Sequence, residues 1–131
     1  MYTFKKEERL CSTKLLEKLF HTGSSFLLYP FRITWLQGDF PKNPPVQVVI
    51  NVSKRNFKKA VDRNLIKRRI REIYRLHKSE HLYSFVNEDS QKLLLGINYI
   101  GKDIATYLFM EKKLLLSLEK LKQNYLSNDV E

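Results

Sequence analysis

Apolar positions along the chain fall into blocks with two alternating periods. In 12–20, Ser-Thr-Lys-Leu-Leu-Glu-Lys-Leu-Phe, the residues Leu15, Leu16, Leu19 and Phe20 gather on one side of a helix. Ser12 stands where an N-cap belongs, and Gly23 follows where a helix would stop. Residues 26–37 change to period two: Phe31, Ile33 and Trp35 alternate with Arg32, Thr34 and Leu36. The segment GDFPKNPP (38–45) holds three prolines and reads as a loop. Residues 46–52 alternate again, with Val46, Val48, Ile50 and Val52 on one face, so a hairpin over 26–52 is the economical arrangement. Helical period returns from about 59 to 80. Residues 92–100, KLLLGINYI, fit a strand covered on both faces, and Gly101 and Lys102 turn the chain. A last helix over 106–125 carries the stripe Leu114, Leu118, Leu121 and Tyr125, too brief for a coiled-coil seam. The order predicts an α+β sandwich, with helices packed on a small sheet in a single domain spanning 1–131.

The helix near residue 66 is the most informative of these elements. At 100° per residue, Ile66, Ile70, Ile73 and Tyr74 share the side that must face the sheet. Asn64, Lys67, Arg68, Arg71, Arg75 and Lys78 share another, at spacings of three and four. Lys54, Arg55, Lys58 and Lys59 precede the helix, and Arg63 lies at the margin near its start. Like charges at such spacings cost a few tenths of a kcal/mol per pair. Burying each isoleucine returns about 1.5–3 kcal/mol. A stripe that costs folding energy points to an external partner.

Charge distribution sharpens that inference. The formal net charge is +10, from 24 basic and 14 acidic residues. Residues 54–78 hold eleven of the basic and two of the acidic ones, leaving thirteen and twelve elsewhere. A nearly neutral domain with one basic segment has the pattern of a polyanion-binding surface. Solvated helical faces normally mix signs, and this one hardly does. From 63 to 75 arginine outnumbers lysine five to one, which suits bidentate phosphate contacts. A membrane-surface helix would need its apolar face for lipid, whereas this face is needed to cover the strands. Phe 8, Tyr 7 and Trp 1 with a hydrophobic fraction of 43% argue against disorder.

Other chemistry is sparse. Cys11 is the single cysteine, so an internal disulfide and a cysteine-based zinc site are excluded, and it reads as a small apolar filler. The N-terminus MYTFKKEERL is charged and lacks the apolar stretch of a secretory leader, and the longest apolar runs are short of a membrane span. A cytoplasmic location is therefore expected. The stretch 77-HKSEH-81 matches H-x-x-E-H, which on a helix puts His77 and His81 on one face with Glu80 as a base. It lies at a helix end without a second ligand-bearing helix, and surface histidines beside phosphate suit it better. His21 sits at the expected C-terminus of the first helix, where a cation is favoured. There is no glycine-rich phosphate loop, nucleophile elbow or isolated carboxylate pair.

The stretch 53-SKRNFKKAVDRNLIKRRIRE-72 closely resembles the signature of the bacterial ribonuclease P protein component. Its core is Ala60 followed by Arg63-Asn64-Leu65-Ile66-Lys67-Arg68, led by Ser53-Lys54-Arg55, and the element order over about 4–125 is similar as well. The resemblance implies a protein subunit of a ribozyme whose RNA cuts the 5′ leader from precursor tRNA with Mg²⁺, no metal being firmly bound by the protein. It implies an αβββαβα-like order with a left-handed crossover, a connection that strand periodicity cannot show. It gives no catalytic residue to this chain. By the resemblance Lys54, Arg55, Arg63, Asn64, Lys67, Arg68 and Arg71 would contact the catalytic RNA, and the charge stripe adds Lys58, Lys59 and Arg75. A groove between the sheet and the first helix would hold the leader. Phe20 matches a groove aromatic, Leu16 stands where an aromatic is common, and Trp35 is assigned to the groove while Phe31 and Ile33 are assigned to the core. In the turn after the last strand, often basic in the family, only Lys102 is near. The implied partners are the catalytic RNA and precursor tRNA, with the protein a monomer in a 1:1 ribonucleoprotein and no membrane. Two readings from other classes compete: a non-catalytic RNA-binding protein of the ribosome or its assembly, and a metal hydrolase built on His77 and His81.

Overall fold

A computed structural model describes residues 4–38, 45–86 and 92–129, with side chains through 126. Helix α1 spans Thr13–Thr22. The Ser12 hydroxyl accepts from the Leu15 amide at 3.4 Å, and the Gly23 amide donates to the Leu19 carbonyl at 2.9 Å. A Cβ on Gly23 would come within 2.4 Å of the Leu19 carbonyl and 2.9 Å of the Trp35 carbonyl, so glycine lets the chain pass directly from α1 into the sheet.

Strands β1 (Ser24–Leu28) and β2 (Phe31–Gly38) form an antiparallel hairpin around Tyr29 and Pro30, which are joined by a cis peptide. Strand β3 (Val46–Val52), helix α2 (Ala60–Lys78), strand β4 (Lys92–Tyr99) and helix α3 (Tyr107–Asp129) follow. A 3₁₀ turn at Lys6–Glu8 precedes α1, and a π-helical turn at Ser79–Tyr83 follows α2. The sheet order is β1-β2-β4-β3. Strand β4 runs antiparallel to β2 and parallel to β3, so α2 lies on a crossover between parallel strands.

The expected hairpin over 26–52 is corrected here. That span holds a tighter hairpin, β1–β2, because Pro30 cannot donate to a ladder and ends the strand. Strand β3 does not pair with β2; β4, apolar at almost every position, takes the centre between them. The loop expected at 38–45 lies mostly outside the described residues.

The sheet's alternation sorts its side chains onto two faces. Phe31, Ile33 and Trp35 join Val48, Leu95, Ile97 and Tyr99 in the main core, beneath Ile66, Ile70 and Ile73 of α2 and Leu114, Leu118, Leu121 and Tyr125 of α3. The other face carries α1 over a smaller cluster of Leu10, Leu19 and Leu94. All three α2 isoleucines are fully buried. Ile70→Val is expected to cost about 0.5–1.5 kcal/mol in urea unfolding, with RNA affinity unchanged.

Candidate nucleic-acid interface

The segment leading into α2 is tightly folded. Phe57 is buried, and Arg63 Nη1 donates to the carbonyls of Phe57 at 2.7 Å and Lys58 at 2.9 Å. Asn56 Nδ2 donates to the carbonyls of Ile100 and Gly101 at 3.3 and 3.4 Å, tying the lead to the end of β4. Lys54, Arg55, Lys58 and Lys59 stand exposed on this braced loop. Arg63, expected to meet RNA, is half-buried and holds the loop with one nitrogen.

Along α2, Asn64, Arg68 and Arg71 are exposed and Lys67 is half-buried. Among the described residues, the side chains of these four make no hydrogen bond or ion pair with protein. The stripe changes character after Arg71. Arg75 forms a two-pronged pair with Glu72, Nη2 to Oε1 at 2.5 Å and Nε to Oε2 at 3.2 Å. The Arg75 hydrogen bond holds the Glu72 carboxyl below its usual range. Arg75 is therefore already engaged, which corrects its expected place among the open cations. Lys78, counted with the stripe by periodicity, is buried and ion-paired with Glu8. Arg69 Nη1 donates to the Ala105 carbonyl at 2.5 Å, holding the approach to α3 against α2. The open cations thus belong to the lead and to α2 as far as Arg71.

The Glu8–Lys78 pair lies in an aromatic setting. The Tyr83 hydroxyl donates to Glu8 Oε1 at 2.8 Å and the Lys5 amide to Oε2 at 2.7 Å. Burial pushes the Glu8 carboxyl up, but the hydrogen bonds from Lys78, Lys5 and Tyr83 outweigh it and hold the group below its ordinary value.

On the opposite face of the sheet, α1 overhangs a groove of about 370 Å³ lined by Phe20, Ser25, Arg32, Thr34, Asn51, Ser53 and Asn98, among others. Phe20 is 45% exposed and rests over Gly96, where a Cβ would lie 3.2 Å from its ring. The floor is a polar row across three strands: Asn51 Nδ2 donates to Asn98 Oδ1 at 3.0 Å, and Asn98 Nδ2 to the Arg32 carbonyl at 3.2 Å. Of the expected groove residues, Phe20 lines it. Leu16 does not; it packs beside Leu10, Leu19 and Leu94. Trp35 is on the other face, 5% exposed, its ring 6.5 Å from that of Tyr125. Strand alternation fixes that outcome, since Trp35 shares parity with Phe31 and Ile33. The same parity puts Arg32, Asn51 and Asn98 on the groove side, a signal legible in the sequence but missed.

His77 Nε2 meets Glu111 Oε2 at 2.9 Å, linking α2 to α3, and its ring lies 5.5 Å from that of His81. Among the described residues, no group of three or more His, Cys, Asp or Glu side chains could hold a metal ion, and no helix is long and apolar enough to cross a membrane.

The family model described as Ribonuclease P matches residues 4–88, which include α1, the groove strands β1–β3 and the whole of α2. The chain belongs to the ribonuclease P protein family. A ribonuclease P protein component from Petrotoga mobilis is 37% identical over 102 residues, covering 74% of this chain and 83% of that protein. One from Porphyromonas gingivalis is 28% identical over 120 residues, covering 91% and 86%. Among solved structures, a Staphylococcus aureus RNase P protein mutant with defective mRNA degradation activity superposes with a TM-score of 0.69 at 25% identity, covering 89% of this chain and 90% of that one. The RNase P protein from Thermotoga maritima gives 0.67 at 21% identity, covering 86% and 96%, and shares the fold. As a member of this family, the chain is a protein subunit of ribonuclease P, the endoribonuclease of tRNA 5′ processing, and partners ribonuclease P RNA.

Proposed function

We propose that the lead 54–59 and the outer face of α2 bind the catalytic RNA, while the groove beside Phe20 takes the single-stranded 5′ leader of precursor tRNA. The observation that carries this reading is the set Lys67, Arg68 and Arg71, unpaired among the described residues on a helix that three buried isoleucines fix to the sheet. Prepositioned guanidinium groups fit phosphate oxygens with little ordering cost. The groove combines an exposed ring with a hydrogen-bonding floor, the combination that suits an unstacked base.

The chain contributes position and charge to the reaction, and bond breaking belongs to the RNA. Mg²⁺ would be held there by phosphates. Two carboxylates near the cationic face are committed to protein cations, Glu72 to Arg75 and Glu8 to Lys78, which suits that division. We further propose a monomer acting in a 1:1 ribonucleoprotein in the cytoplasm.

Reconstitution tests the reading. Added to a bacterial ribonuclease P RNA at low Mg²⁺, the protein should accelerate cleavage of precursor tRNA, and alone it should cleave none. A protein that leaves the RNA-catalysed rate unchanged, while binding ribosomal RNA, would instead support the ribosomal alternative. Within the reconstituted enzyme, Phe20→Ala should weaken precursor tRNA binding about 5- to 150-fold, the range for losing one base–aromatic stack. Binding of mature tRNA, which has no leader, should not change. Equal losses for the two substrates would remove Phe20 from leader recognition.

A further inference from the structure

We propose that Arg9 completes a phosphodiester seat with Lys67 and Arg71 at the open edge of β3, extending the RNA-binding surface onto the N-terminal arm. The inference rests on the reading of α2 given above and adds a site to it. The three cations line one cavity of about 250 Å³ together with Phe4, Leu10, Val48, Val49 and Ile50, and among the described residues no carboxylate lines it.

Three observations make this a built site. The arm is anchored on both sides of Arg9. Glu8 is held by Lys78, Tyr83 and the Lys5 amide, while the buried Leu10 donates its amide to the Val48 carbonyl at 2.9 Å. Gln47 Nε2 adds a bond to the Glu7 carbonyl at 2.9 Å. Arg9 between these anchors is exposed and lies over the Phe4 ring at 5.4 Å, so its guanidinium is steered by a π face, and among the described residues no hydrogen bond occupies its donors. Finally, β3 is an edge strand that the arm bridges at Val48. Two residues on, the outward Ile50 amide points to that same edge, where among the described residues no segment pairs with it. A phosphate there meets three cations and a fixed N–H, a combination made for an anion.

Lys78 thereby acquires a role that periodicity hides. It is withdrawn from the helix face, and its ammonium anchors the arm that brings another arginine to that face. The open edge beyond the bridge runs only from Ile50 to Val52, too short for strand addition by a peptide, and its cations continue the α2 surface. The chemistry therefore favours an RNA phosphate.

The test titrates wild type, R9Q, R9K and R68E/R71E with a bacterial ribonuclease P RNA between 50 and 200 mM monovalent salt, after circular dichroism has verified folding. R9Q should bind about tenfold more weakly, as expected for one lost charge-assisted contact, with a salt slope shallower by about 0.7–0.9. R9K keeps the charge and should restore the slope and most of the affinity. An R9Q variant with wild-type affinity and slope overturns the seat, provided that R68E/R71E has lost binding. If R68E/R71E also binds as wild type, the reading of α2 fails, and the seat with it.

Discussion

Replacing Arg68 and Arg71 together with glutamate is expected to weaken binding to ribonuclease P RNA by about 10³-fold or more near 0.15 M salt. Two charge-assisted contacts, each contributing about 1.5–3 kcal/mol, are lost, and two carboxylates then face phosphate. The salt dependence should flatten at the same time, because two fewer counterions are released for each contact pair removed. Folding should survive. Both side chains are exposed and make no polar contact with protein among the described residues, so each substitution should shift stability by no more than about 0.5 kcal/mol. Relief of repulsion among Lys67, Arg68 and Arg71 acts in the stabilising direction. Filter binding beside thermal unfolding checks both halves, and an unchanged affinity would take α2 out of the interface.

The second large effect concerns stability. Glu8→Ala leaves the Lys78 ammonium buried without its carboxylate, and breaking a buried pair from one side costs about 3–5 kcal/mol. Removing both charges as E8Q/K78M should be far milder, because the penalty comes mainly from the stranded ion. The pair also sets an acid limit. The Glu8 carboxyl is held below its ordinary value of 4.5, so its contribution is present above that pH and is lost as pH falls through the lower folded-state value. Urea unfolding at neutral pH and near pH 3 should therefore show wild type losing stability relative to E8Q/K78M on the acid side. A constant difference between the two proteins would contradict the role given to Glu8.

Local signals revealed the elements and left their assembly hidden. Ser12, Gly23 and the leucines between them mark α1 within two residues of its ends, and the isoleucine stripe identifies the face of α2 that meets the sheet. Strand pairing is decided by contacts distant in sequence. Nothing local to 26–52 tells that β4, some forty residues later, inserts between β2 and β3. Helical periodicity gives the direction of Arg75 and Lys78 but not their partners. Glu72 lies one turn away and was available to a closer reading, whereas Glu8 reaches Lys78 only because the N-terminal arm folds across the end of α2. Trp35 shows the opposite case: strict alternation with Phe31 and Ile33 already placed it in the core, and the expected groove role ran against that pattern.

Two surfaces of the sheet thus receive different work. One face is filled by α2 and α3 and turns α2's cations outward; the other leaves an aromatic overhang above a polar floor. Gly96 lets the Phe20 ring lie close to β4, and Gly23 lets α1 end against the sheet.

Photo-crosslinking from single positions in the assembled protein–RNA complex tests the central claim most directly. A crosslinker at position 68, on the outer face of α2, is predicted to capture the catalytic RNA, while one at the exposed Glu119 on α3 captures little. Efficient capture from position 119 with none from position 68 would contradict the account.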